Sequence, residues 1–394
     1  MDKRPRKDDG VIEEQYALTP FREAIDAPSG EDYFFLPQSA ATNATMRILG
    51  AQGDLLAMAK RNNRHSTTHG LKVGYKEDGD SRTVSFKRGS NEYTFEIDDI
   101  AKLSGYNKSV KKIFAYTLVK VNQQAYSDGV FRRDFVSYPL QELVNVGVYK
   151  KIRAARAGYE DAMKALTSIK LGGKVKRGKT EKKATSGKSK IEVIFTGAEI
   201  DEGTCKVFLN ERINWEFIAA FYTRIPAFYF SLPAKAADLL FYIFYLARQN
   251  QDKIKERGYF DINLRSVAQF LGLPDETEVK NPTDAIKKKI EEAQKDIEKK
   301  LETSREKGAF KITAHYTERS SITEYLDNGF FRVELSGSYA AFFIEGADNK
   351  AKSIEAARKK KERVEIAVKA KIQANKEKEA RKAEKAKAKQ DKEK

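Results

Sequence analysis

Cysteine is nearly absent from the 394-residue chain: Cys205 is the only one. No intramolecular disulfide can form, and a lone cysteine in an apolar, strand-like run reads as a small buried hydrophobe, which fits a reducing cytoplasm. Histidine is almost as scarce, at His65, His69 and His315. His65 and His69 have i, i+4 spacing, yet no cysteine or carboxylate neighbours complete a ligand set, so no metal is expected. No His-apolar-His motif accompanies the tyrosines, as a DNA-nicking relaxase or rolling-circle initiator would require. No serine or cysteine nucleophile has a partnered histidine either, so the chain is not expected to be an enzyme and no cofactor is expected.

Long apolar runs are missing as well. Phe217–Ala247 is the most apolar stretch, but Arg224, Pro226, Pro233, Lys235 and Asp238 break it and leave only Leu239–Ala247 uninterrupted. That is far short of the roughly 20 residues a membrane span needs. Met1–Glu14 is charged and lacks the apolar core of a secretory signal, so none is expected.

What the chain has in excess is positive charge. Its formal charge is +17 and its pI is near 9.5, which favours a polyanionic partner through counterion release. About ten of those charges lie after Asn349, in a Lys/Ala/Glu tail. The folded part is therefore only moderately basic and must be judged by where its charges lie. The length predicts two folded domains with tails.

The first forty residues are polar and predict a partly ordered arm in which Tyr33, Phe34, Phe35 and Leu36 pack onto the next part of the chain. A helix is expected over about Ala44–Met58, and a hairpin from Thr83–Phe86 with Tyr93–Ile97. A repeat then emerges. Phe95-Glu-Ile97 leads into Ile97-x-x-Ile100-Ala101-x-Leu103-x-Gly105, and Phe260-Asp-Ile262 leads into Leu264-x-x-Val267-Ala268-x-Phe270-x-Gly272. Leu140-x-x-Leu143-Val144-x-Val146-Gly147 is a looser third copy. Such spacing describes a short helix that buries one face and stops abruptly, as the first helix of a helix-turn-helix must.

Downstream, the pattern predicts helices over Ala236–Gln249, Leu264–Leu271 and Pro282–Lys307, a strand at Tyr259–Ile262, and a hairpin from Ala309–Tyr316 and Gly329–Leu335 joined by a polar loop that contains Arg319. Upstream, it predicts helices over Val110–Gln123, Leu140–Val146 and Tyr149–Ile169, a strand at Phe135–Ser137, and a hairpin from Lys190–Thr196 with Cys205–Leu209. Helix, strand, helix, helix, hairpin is the order of a winged helix, so the expected fold is α+β with two tandem winged-helix domains, the copy at Ile97–Gly105 being an added helix of the first. A competing parse makes that copy the reading unit, with Val110–Gln123 as its third helix; the first parse uses every later strand. In the upstream third helix Ile152, Ala155, Tyr159, Met163 and Leu166 form the expected apolar stripe.

A third helix that enters the major groove needs a basic N-terminal face. Upstream that face offers Lys150, Lys151, Arg153 and Arg156; downstream it offers Lys287, Lys288 and Lys289. Arginine grips guanine bidentately whereas lysine acts as a point charge, so the upstream helix is expected to read bases and the downstream one to hold the backbone. Residues 171–190 predict a flexible basic loop that tracks phosphates through Lys174, Lys176 and Arg177, with Arg319 as a further contact. The loop contains Gly173-x-x-x-x-Gly178-Lys179-Thr180, the P-loop expression, without the strand-to-helix context that chemistry needs. The aromatic stretch from Trp215 to Tyr245 reads as core, with Ile213–Leu232 fixing one unit against the other.

The duplicated order over about Val110–Glu345, the segment Asn214-Trp215-Glu-Phe-Ile-Ala-Ala with Ile225-Pro226, and the helix Ala236-Ala-Asp-Leu-Leu-Phe-Tyr-Ile-Phe-Tyr-Leu-Ala-Arg248 resemble the two-winged-helix replication initiators of theta-replicating plasmids, the Rep/TrfA-like group. The resemblance implies a cytoplasmic, bacterial protein associated with nucleoid or plasmid. It implies binding to double-stranded DNA at repeated origin sites and melting with host replication proteins, without catalysis of its own. It also implies a homodimer that represses its own synthesis and a monomer that initiates. A winged-helix transcriptional regulator or partition-type protein is the alternative, and a P-loop nucleotide-dependent enzyme the remote one. The expected partition is an arm over 1–40, a first domain over 41–210, a second over 211–346, and a basic tail over 347–394, helical or disordered.

Overall fold

The computed structural model describes residues 33–38, 42, 45, 46, 49, 71–78, 81–88, 91–97, 109–127, 135–174, 192–210, 221–277, 279–317 and 320–348. Its architecture is α+β, with helices packed on small sheets whose strands all pair antiparallel among these residues.

The chain enters through strand β1 (Tyr33–Gln38). Residues 42, 45, 46 and 49 are helical, within or beside the helix expected over 44–58, and Met46 and Leu49 are buried. Strands β2 (Leu71–Asp78), β3 (Ser81–Arg88) and β4 (Asn91–Ile97) form a meander. The expected hairpin is there, with Thr83 opposite Glu96 and Phe86 opposite Tyr93, and β2 extends it.

Helix α1 (Val110–Ser127), strand β5 (Phe135–Pro139), helix α2 (Leu140–Asn145) and helix α3 (Ile152–Ser168) come after the meander. Strands β6 (Ile169–Lys174) and β7 (Glu192–Val193) return to it and complete the order β2-β3-β4-β6-β7. Strands β8 (Phe195–Asp201) and β9 (Thr204–Leu209) make a hairpin that β5 joins in the order β5-β9-β8. In β5, Val136 and Tyr138 point inward and Phe135 and Ser137 lie half-buried, the period-2 pattern of a strand with one covered face.

Strand β10 (Phe221–Pro226) and a 3₁₀ turn (Ala227–Ser231) lead to helix α4 (Ala234–Gln249), which is buried from Ala236 to Ala247. Helix α5 (Gln251–Arg257), strand β11 (Tyr259–Asn263) and helix α6 (Leu264–Phe270) come next. A π-turn (Thr283–Lys287) opens helix α7 (Lys288–Thr303). Strand β12 (Phe310–His315), helix α8 (Ile322–Asn328) and strand β13 (Phe330–Leu335) close a sheet of order β11-β13-β12. Residues 337–348 are helical and bury Tyr339 and Phe343 beside Phe244 of α4.

The two halves share their local rules. Both short second helices end at a glycine in the left-handed region, Gly147 at φ 85° and Gly272 at φ 62°, where a side chain would be strained. In both, the first residue of that helix donates its amide to a carbonyl just before the last strand: Leu140 to Gly203 at 2.8 Å, and Leu264 to Gly329 at 3.0 Å. The Ile97–Gly105 copy lies outside the described residues beyond Ile97.

Four expectations change. Residues 171–174 are not loop: Gly172 and Gly173 sit in β6 opposite Thr94 and Tyr93, because backbone pairing with β4 makes a strand of a glycine pair that has no side chains to pack. The hairpin strand is Phe195–Asp201, not Lys190–Thr196, since Glu192 pairs with Leu171 in the other sheet. The connection between β12 and β13 holds a helix, α8, whose N-terminus is closed by a reciprocal Ser321–Glu324 capping box. Ile152, expected in the apolar stripe, is 47% exposed, and burial begins at Ala155. The tail after 348 lies outside the described residues.

Candidate nucleic-acid interface

Helix α3 carries one face inward. Ala155, Tyr159, Ala162, Met163 and Leu166 are buried, and the Tyr159 ring meets Tyr138 of β5 edge-on at 6.4 Å. Gly158 lets Tyr149 cross the helix: a Cβ built there would lie 2.0 Å from the Tyr149 hydroxyl oxygen. Helix α2 is tied to α1 through Glu142, which accepts hydrogen bonds from the Tyr116 hydroxyl and from Lys120 Nζ at 2.6 Å. The rest of the hydroxyl layer is desolvated, and burial pushes the Tyr116, Tyr138 and Tyr159 phenols well above their ordinary range. These groups stay neutral and serve packing.

On this scaffold the N-terminal end of α3 stands clear. Lys150, Lys151, Arg153 and Arg156 are all exposed, and none forms an ion pair among the described residues. The nearest acids on the helix, Glu160 and Asp161, come after the cations. The helix start has no side-chain cap: Lys151, at the N-cap position, makes no such hydrogen bond. Four exposed cations, none ion-paired among the described residues, thus gather over residues 150–156 at the start of a helix held by its buried stripe.

The downstream counterpart is built differently. Lys287 Nζ lies 4.7 Å from the centre of the Tyr316 ring and 5.2 Å from that of Tyr325, and the Tyr316 hydroxyl donates to Glu291 at 3.0 Å. Lys289 pairs with Glu292 at 2.9 Å. Lys288 is exposed and has no ion-pair partner among the described residues. Helix α6 is clamped: Arg265 binds Glu276 through two hydrogen bonds, at 3.1 and 2.8 Å, and also Asp327. Hydrogen bonding to Asp327, then Glu276, raises the Arg265 pKa. A surface hollow lined by His315, Tyr316, Ser320, Glu324 and Phe330 sits beside this end of the helix. Of the other sequence candidates, Lys174 ends β6 on a different sheet, while Lys176, Arg177 and Arg319 lie outside the described residues.

The joint between the halves is polar as well as aromatic, a feature no local sequence pattern announces. Lys111 of α1 pairs with Asp238 of α4 at 2.7 Å, both side chains nearly inaccessible. Lys112 donates to the carbonyl of Phe230 at 2.8 Å and to that of Leu232, and burial holds its pKa down at about 8. Around them the β1–β10 ribbon reaches both halves. Phe34 meets Tyr116 and Phe230 edge-on at 6.3 and 5.3 Å, Phe35 meets Phe342 at 5.8 Å, and the Arg224 guanidinium lies 3.6 Å from the centre of the Tyr33 ring and 4.6 Å from that of Tyr339. The expectation that Ile213–Leu232 fixes the halves together fits the described part of that segment, 221–232.

Among the described residues no cluster of three or more His, Cys, Asp or Glu could hold a metal ion, and no helix is long and apolar enough to cross a membrane. Cys205 is buried in β9, and desolvation pushes its thiol up to about 12, so it is inert packing. The first glycine of the P-loop expression, Gly173, lies inside a strand rather than a phosphate-wrapping loop.

No family model matches the chain, and no curated protein matches it. Two solved structures, both of domains 2 and 3 of RctB, are similar to it. One shares 9% identity and a TM-score of 0.37, covering 66% of this chain and 92% of that one. The other shares 12% identity and a TM-score of 0.36, covering 70% and 94%. Likeness at that level assigns neither fold family nor function.

Proposed function

We propose that the chain is a sequence-specific double-stranded DNA-binding protein of two winged-helix units that acts at a replication origin, recruiting host factors without catalysing a reaction itself. The observation that carries the DNA reading is the set of four exposed cations, Lys150, Lys151, Arg153 and Arg156, without ion-pair partners among the described residues, at the leading end of a helix seated on a buried scaffold. In a helix, strand, helix, helix, hairpin unit this is the end that enters the major groove. There Arg153 and Arg156 supply the paired donors that match guanine O6 and N7, and the two lysines approach phosphates. The downstream unit, its cations largely engaged, adds backbone contacts through Lys288. The origin role is supported by the resemblance of the duplicated order to plasmid initiators.

Purified full-length protein titrated against the DNA flanking its own gene and against random DNA, across a salt series, tests the reading. Preference for tandem direct repeats, lost in Arg153→Ala and Arg156→Ala, is the expected result. Preference for a single inverted repeat in a promoter would move the assignment to a transcriptional regulator. Equal affinity for random DNA would remove the sequence-specific claim.

A further inference from the structure

Ile152 is where the helical pattern and the structure part. It stands three residues before Ala155 and seven before Tyr159, so it continues the stripe those residues bury; yet Ala155 and Tyr159 are inaccessible while Ile152 is 47% exposed. The core of the upstream unit ends one turn before its apolar stripe does. The only other exposed large hydrophobic residue among the described residues is Tyr316, at 36%, and its ring carries Lys287 at the matching end of the downstream third helix. Tyr316 already has internal duties there, carrying Lys287 on its ring and donating to Glu291. Among the described residues, Ile152 is not one of those packed against the core.

The neighbours of Ile152 decide what could cover it. Lys150, Lys151, Arg153 and Arg156 flank it along the chain, exposed and without ion-pair partners among the described residues. A second copy of this chain docking on that edge through a two-fold contact would bring its own four cations against these four, which like-charge repulsion opposes. A polyanion relieves the same charge. In duplex DNA the major groove presents one apolar group, the C5-methyl of thymine, and isoleucine has no donor or acceptor with which to read anything else.

We infer that Ile152 is a specificity residue that packs against a thymine methyl in the major groove, beside the guanines gripped by Arg153 and Arg156. The inference rests on the DNA reading above and adds a base to it. The lysines preceding the helix set the register on the phosphates, the arginines read hydrogen-bond acceptors, and Ile152 reads a methyl group that neither could.

The test uses the full-length protein and a duplex site selected by it from a random pool. Thymines in that site are replaced one at a time by deoxyuridine, which removes the methyl and leaves every base-pair hydrogen bond. Wild-type protein is expected to lose roughly threefold to fivefold in affinity at one position, the worth of one buried methyl group. Ile152→Ala is expected to bind the thymine site that much more weakly and to show no further loss with deoxyuridine. Because Ile152 lies outside the core, the variant should keep the wild-type melting temperature.

A selected site in which no thymine is sensitive, or one whose sensitivity persists undiminished in Ile152→Ala, overturns the inference while leaving the DNA reading intact, provided Arg153→Ala still weakens binding. An unchanged deoxyuridine effect together with loss of a dimer in Ile152→Ala would likewise overturn it and make Ile152 a contact between copies. Selection of no sequence at all removes the DNA reading, and the inference with it.

Discussion

The upstream and downstream halves share the order helix, strand, helix, helix, strand, strand, with β6 and β7 added in one and α5 and α8 in the other, and arrive at opposite surfaces. Upstream, the leading end of α3 keeps four cations and an isoleucine exposed, the cations without ion-pair partners among the described residues. Downstream, Lys287 is spent on two tyrosine rings, Lys289 on Glu292, and helix α8 fills the connection between the hairpin strands. The second helices differ in the same sense: α6 is capped by the Asn263 side chain and clamped through Arg265, whereas α2 begins after Pro139 with no side-chain cap. Polar side chains turned inward consolidate a unit. Those same types left without such contacts leave charge open to solvent, and the difference is decided by which acids and aromatics lie within reach.

The most severe way to break the comparison is to separate the units. Lys111→Ala would remove the ion-pair partner of the nearly inaccessible Asp238, with Lys112 and Lys235 still acting on it electrostatically, and a loss of up to about 3–5 kcal/mol is expected, read as a lowered midpoint or a split transition in calorimetry. Lys111→Met with Asp238→Leu should recover most of that loss. Next comes the reading function: Arg153→Ala should cost about 1–3 kcal/mol of discrimination between the selected site and random DNA. Lys288→Ala should weaken both alike and reduce the salt slope by about one. Competition binding at several salt concentrations separates the two outcomes.

Gly158→Ala should also act only upstream. The added methyl collides with Tyr149, and about 1–3 kcal/mol of overpacking strain is expected, measured by denaturant unfolding. The smallest effect should be downstream, where Asn263→Ala removes the side-chain acceptor for the Arg265 and Ser266 amides at the start of α6 and should cost about 1 kcal/mol. A comparable loss from Pro139→Ala, where there is no such cap to lose, would break the contrast between the second helices.

Much of this organisation could be read from apolar spacing. The repeats at Leu140–Gly147 and Leu264–Gly272 place both second helices and their left-handed glycines, since a local period and a stop residue need no distant partner. The Ser321-x-x-Glu324 capping box was equally local and would have revealed α8. What the sequence concealed depends on contacts far along the chain. Tyr33–Gln38 becomes a strand through pairing with Phe221–Pro226, and Gly172-Gly173 through pairing with β4. Ile152 looked like core because a helical period does not say where the opposing surface ends. At the site, the chemical types at 150–156 and 287–289 were visible, but not that Tyr316, Tyr325 and Glu292 would engage the second set.

The β1–β10 ribbon also sets an order of events on the ribosome. Tyr33 faces Pro226 across the ladder, so β1 waits, with its backbone groups unpaired, until nearly two hundred further residues have been made. The first unit can close in that interval, because strands β2 to β9 pair among themselves. Its exposed Tyr-Phe-Phe-Leu edge is then the segment most open to mispairing with another nascent chain, and synthesis of β10 is the step that retires that risk.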